Sequence, residues 1–169
     1  QEETVSLIAE LAHSEGGNAR FAIELLWRAG KYADAEDLGT VTPECVRKAV
    51  SSIYAMARKS DLATLSLHEK LFLLGVARFF KENSDRAYAS LTEVERAYAV
   101  VCEEFGVQPH THTQLWKYLQ MLSTLGIVKK SVSVAGQRGR TTLVCLPAVS
   151  VYELEKELSM LLERERWAR

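Results

Sequence analysis

Apolar residues recur at helical spacing through most of this chain. Residues 4–13 place Val5, Ile8, Ala9 and Ala12 on one stripe, which predicts a short amphipathic helix. Gly16 and Gly17 should stop it, since glycine takes positive φ without a Cβ penalty. Asn18 is a natural N-cap for a helix from Ala19 to Tyr32, with Phe21, Ile23, Leu25, Leu26 and Ala29 turned inward. The polar stretch Asp34 to Thr40 breaks the pattern. Thr42 as N-cap, with Pro43 at the first helical position, opens a third helix. Val46, Ala49, Val50, Ile53 and Met56 continue it to about Lys59.

Ser60 to Ser66 reads as a joint. Ser66 with Glu69 three residues on forms a capping box. It opens a helix from Leu67 to Lys81, apolar on one side through Leu71, Leu74, Val76, Ala77, Phe79 and Phe80. Ser90 or Thr92 starts the next helix, with Val94, Ala97, Tyr98, Val101 and Phe105 inward and Gly106 closing it. After the turn Gln108-Pro109-His110, a further helix begins at Thr111 with Leu115, Leu119, Leu122 and Leu125 inward, and stops at Gly126. The period then shortens to two strands joined by a Gly/Arg turn. A last helix, about Val151 to Arg166, repeats Leu154, Leu158, Leu161 and Leu162. The fold expected is mainly α with a small β-hairpin: a helical bundle over residues 1–62, then a winged-helix domain with a C-terminal helix over residues 63–169.

Composition changes this picture little. The 169 residues are 47% hydrophobic and 25% charged, ordinary values for a globular protein. No apolar run approaches a membrane span and no leader opens the chain, so no membrane partner and a cytoplasmic, nucleoid-associated location are expected. The chain starts at Gln1 with a helical pattern under way, which reads as a piece of a longer protein. Cys45, Cys102 and Cys145 are odd in number and widely spaced, as for buried thiols and not for zinc ligands or disulfides. His110-x-His112 has no third ligand nearby, so no metal is expected.

Charge matters locally. Net charge is −1, but between Thr111 and Cys145 there are five Lys/Arg (Lys117, Lys129, Lys130, Arg138, Arg140) and no Asp or Glu. A helix and a hairpin sharing a positive island suit duplex DNA. Thr111, Thr113, Gln114, Lys117, Tyr118 and Gln120 are left to face outward, and a recognition helix uses its N-terminal side chains on base edges and phosphates. The tip Gly136-Gln137-Arg138-Gly139-Arg140 alternates glycine with guanidinium, which suits a minor groove. Three to five phosphate contacts would give a salt slope of about −3 to −5. Trp116 reads as a packing residue.

Gly17-Asn18-Ala19-Arg20, the run to Arg28-Ala29-Gly30 and the Val41-Thr42-Pro43 helix start resemble the lid of AAA+ replication initiators. Leu122 to Val128 and the Gly136–Arg140 turn are similar to the recognition helix and wing of the archaeal origin-recognition and cell-division-cycle initiator family. The resemblance covers nearly the whole chain. Asn18 replaces the aspartate of the family's Gly-Asp-Ala-Arg-like sensor 2 motif. The resemblance implies that Arg20 senses the terminal phosphates of ATP or ADP bound with Mg in a parent protein. It also implies origin duplex DNA as partner.

The chain itself has no GxxxxGK[ST] loop and no catalytic constellation such as GxSxG, so it is not expected to act as an enzyme or to hold a cofactor alone. The rival expectation is a protein-interaction module that docks a replicative helicase or another initiator subunit.

Overall fold

The computed structural model describes residues 2–54, 58–132 and 141–167. Three helices come first: α1 (Glu2–Ser14), α2 (Ala19–Ala35) and α3 (Pro43–Tyr54). Gly16 and Gly17 take φ of 78° and 75°, and the Asn18 side chain accepts the Phe21 N–H at 3.2 Å. α2 passes through Asp34 because Leu25, Ala29 and Ala33 prolong one buried stripe at i, i+4. That stripe corrects the sequence-based one. Ile23 and Leu26 are exposed, and so are Val5 and Ala9 in α1, where Ile8 and Ala12 are buried as expected and Leu7 joins them. Two residues apart on a helix means about 200° of rotation, so Ile23 cannot share a core with Leu25, nor Val5 with Leu7.

The expected joint at 60–66 is helical for most of its length: α4 (Arg58–Thr64). Leu62 and Leu65 pack into the larger core, which gives this short helix a reason to form. The side chains of Ile53 and Met56 lie outside the described residues.

α5 (Leu67–Glu82) opens with the Ser66–Glu69 capping box. Leu71 through Ala77 are all buried, because α6 (Leu91–Glu104), α7 (His112–Thr124) and α8 (Val151–Trp167) surround this helix. At Gly75 an added Cβ would lie 2.8 Å from the Tyr98 main-chain nitrogen, so the glycine sets how closely α5 and α6 approach. Ser90 caps α6 in a second capping box, with Glu93.

The sheet has three strands where two were expected. β1 (Ala89–Ser90), β3 (Thr142–Cys145) and β2 (Lys129–Val132) lie antiparallel in the order β1-β3-β2, with Lys130 opposite Val144 and Lys129 opposite Cys145. Two residues are too few for a strand pattern to register in sequence. Successive strand residues face opposite ways. Accordingly Val144 belongs to the core of α5–α8, and Cys145 to the core of α1–α3. The sheet is the wall between the two cores.

Candidate nucleic-acid interface

The start of α7 is fixed by a cluster of rings. The buried Tyr98 hydroxyl accepts the His110 backbone N–H at 3.0 Å and lies 2.7 Å from His68 Nδ1. The His68 and His110 rings stack at 3.5 Å between centroids. His110 Nδ1 also meets the Tyr118 hydroxyl. Burial and the neighbouring His110 hold the His68 pKa below the ordinary value. These contacts pin the turn before α7 to α5 and α6. At the other end Gly126 takes φ of 71°, the Ile127 N–H returns to the Leu122 carbonyl at 3.0 Å, and the chain enters β2 at once.

Thr111 is the N-cap residue of α7 by position, though its side chain makes no cap hydrogen bond. Thr111, Thr113, Gln114 and Lys117 are exposed. Leu115, Leu119 and Leu122 are buried as expected, but Leu125 is exposed because the helix ends just before it. Tyr118 is half-buried, 6.4 Å from Phe72 between ring centroids and bonded to His110, so it positions the helix. Lys117 makes no ion pair among the described residues.

The two lysines of β2 part company. Lys129 lies 3.4 Å from Glu10 of α1. Lys130, on the other face, donates to Gln120 Oε1 and sits over the Trp116 ring. The island is acid-free along the chain, yet folding brings an acid to Lys129, and also Glu95 to His112. Gln137, Arg138, Gly139 and Arg140 lie outside the described residues. Arg20 is exposed in the first turn of α2 and has no ion pair among the described residues. Trp116 is 37% exposed and stands one turn before Gln120 on α7.

The bundle and the winged unit are joined by a buried polar core. Glu44 of α3 accepts from Ser150 Oγ at 2.6 Å and from the Val151 N–H at 3.1 Å, which caps α8. Arg47, fully buried, donates to the Leu146 carbonyl at 3.0 Å, the Arg86 carbonyl at 3.3 Å and Glu44 at 3.5 Å. Burial raises the Glu44 pKa and lowers that of Arg47. In α1, Glu3 accepts the Ala87 and Tyr88 N–H groups, and Glu10 accepts the Tyr88 hydroxyl. All three cysteines are buried and free, and desolvation pushes the Cys145 thiol up to about 12. Among the described residues no three His, Cys, Asp or Glu could hold a metal, and no helix is long and apolar enough to cross a membrane.

Four helices, α4 to α7, with a small antiparallel sheet and the added C-terminal helix α8, set on a three-helix bundle, define a winged-helix protein with a lid-like partner domain. A family model described as the C-terminal winged helix domain of CDC6 matches residues 60–156, and one described as the Cdc6 AAA+ ATPase-type lid domain matches residues 1–51. The chain belongs to this Cdc6/ORC1 family of replication initiators, through its lid and C-terminal winged-helix domains. It is 33% identical over 169 residues to the ORC1-type DNA replication protein 2 of Sulfurisphaera tokodaii, covering 97% of this chain and 39% of that protein. The Cdc6p crystal structure from Pyrobaculum aerophilum matches with a TM-score of 0.79 at 32% identity, over 96% of this chain and 41% of that one. The Aeropyrum pernix ORC1 protein, solved in complex with DNA, matches with a TM-score of 0.57 at 32% identity, over 98% of this chain and 43% of that one. The chain thus spans less than half the length of these relatives.

Proposed function

We propose that this chain is the duplex-DNA-binding part of a replication initiator, with the exposed face of α7 in the major groove and the wing in the adjacent minor groove. The observation that carries the reading is the outward face of α7. Thr113, Gln114 and Lys117 stand exposed at its N-terminal end, and no Asp or Glu occurs anywhere from Thr111 to Cys145. Hydroxyl, amide and ammonium groups there suit phosphates and adenine edges. Gln137, Arg138, Gly139 and Arg140 belong to the reading on sequence grounds. Lys130 joins them as a phosphate donor. Thr111 stands at the helix start, within reach of a backbone phosphate. Tyr118 acts by positioning. Lys129, paired with Glu10 on the other face of β2, stands apart from this set. The relative solved with DNA supports the reading.

A division at residues 62/63 belongs to the same reading, although Leu62 in the larger core favours a junction a few residues earlier. Arg20 is proposed to meet the terminal phosphates of ATP or ADP, with Mg, in a longer parent protein. One exposed guanidinium in the first turn of a helix fits such an anion. A cytoplasmic, nucleoid-associated location follows from the same reading. A second reading, docking of a helicase or another initiator subunit, is favoured by Trp167, Tyr152 and Met160, which are exposed on α8.

Replacing Thr113, Gln114 and Lys117 together by Ala, and separately Arg138 and Arg140 by Ala, tests the DNA reading by anisotropy titration of a labelled duplex at low salt. Each set should weaken binding on the order of tenfold or more. Unchanged affinity in both would overturn it.

A further inference from the structure

The seam between α7 and β2 carries an apolar platform with a cation fixed on it. At about 100° per residue, Thr113, Lys117 and Gln120 line the middle of the outward face of α7. Trp116 lies on the flank of that face, toward β2. The Lys130 ammonium sits 5.3 Å from the Trp116 ring centroid and donates to Gln120 Oε1. The strand residue is thereby tied to two side chains one helical turn apart. Val132, on the same face of β2 as Lys130, is 58% exposed and extends the apolar edge. Lys129 faces the other way, to Glu10.

A seam of this kind has one occupant under the DNA reading, on which the inference rests. A helix in the major groove and a hairpin in the neighbouring minor groove are separated by one sugar–phosphate strand, and that strand must cross the surface between α7 and β2. Its chemistry alternates an apolar deoxyribose face with an anionic phosphate. The seam alternates an exposed indole with an ammonium, and neither α7 nor β2 contains an acid.

We propose that the α7–β2 seam seats this strand, with Trp116 packed on a deoxyribose and Lys130 donating to the phosphate beside it. The Gln120 bond and the indole hold the ammonium in one place, so less side-chain entropy is lost on binding. The seam contributes affinity without reading sequence.

The test uses the whole chain with Trp27→Phe and Trp167→Phe, which leaves Trp116 as the single indole. Acrylamide quenching is measured with and without a saturating mixed-sequence 30-bp duplex, and binding is followed by anisotropy of the labelled duplex. The quenching constant should fall by about half or more on binding. An unchanged constant with the duplex bound overturns the seam but leaves the DNA reading standing. No binding at all overturns both.

Three further variants sharpen the result. Trp116→Ala should weaken binding on the order of tenfold at every salt concentration, with the salt slope kept, and Trp116→Phe should recover most of it. Lys130→Gln should reduce the slope by about one, while Lys129→Gln leaves it unchanged. Equal slope losses for the two lysines would overturn the assignment.

Discussion

Removing one charge from the Glu44–Arg47 pair should destabilise the whole chain, and removing both should cost less than the sum. Arg47 is fully buried and Glu44 nearly so. Their bonds join α3 to the α8 N-terminus, to the Leu146 carbonyl after β3 and to the Arg86 carbonyl before β1. Glu44→Gln keeps the shape and one acceptor but leaves the guanidinium with carbonyls only. Arg47→Met fills the volume but leaves the carboxylate without its cation. Breaking a buried pair from one side costs about 3–5 kcal/mol. In a chain of this length that is a fall in Tm of roughly 6 to 20 °C. The double variant has no orphaned charge, so a coupling of about 1–3 kcal/mol should return.

Burial already raises the Glu44 pKa. A raised folded pKa means the folded state holds its proton more tightly, so the Arg47→Met penalty should ease as pH falls. Urea unfolding of the four proteins, with m compared, measures all of this. Single variants within about 1 kcal/mol of the parent, or a double variant equal to the sum of the singles, would refute the reasoning.

Gly75→Ala should be destabilising by roughly 1–2 kcal/mol despite the better helix propensity of Ala, because the new Cβ would meet α6 main chain at 2.8 and 2.9 Å. A higher urea midpoint would show that α5 and α6 have room to spare. Glu93 is held down to about 2, chiefly by its hydrogen bond from Arg86. Its stabilisation is therefore present above the ordinary 4.5 and is lost as pH falls toward about 2. Glu93→Gln, which keeps the cap on α6, should cost a small amount at pH 7, since the pair is partly exposed. The gap to the parent should close in acid, and a gap constant from pH 7 to 3 would speak against the Arg86 contact.

Helix starts were the most legible feature of the sequence. Asn18, Ser66 and Ser90 each signal a local hydrogen bond that needs no tertiary partner, and each makes it. The leucines of α7 and α8 were legible for a similar reason, because i, i+4 spacing fixes a face wherever the core lies. Which apolar residues stay outside was less so. Ile23 and Val5 are as hydrophobic as their neighbours, and only the position of the α1–α3 core tells them apart. β1 needed β3 beside it to exist as a strand. The positive island was read correctly along the chain but not in space: Glu10 reaches Lys129 from residues far away in sequence. That Lys130 of β2 comes to lie over the Trp116 ring was not legible, because the two are brought together only by the return of the chain from α7 into β2.

Titration of a fluorescent 30-bp duplex with the intact 169-residue chain, repeated across about 50 to 300 mM salt, tests the DNA-binding role most directly. Binding should weaken steeply with salt, with a log–log slope of about −3 to −5 that becomes shallower in the Arg138→Ala/Arg140→Ala variant. Absence of binding, or affinity indifferent to salt, would contradict that role and leave the exposed apolar face of α8 as the surface to explain.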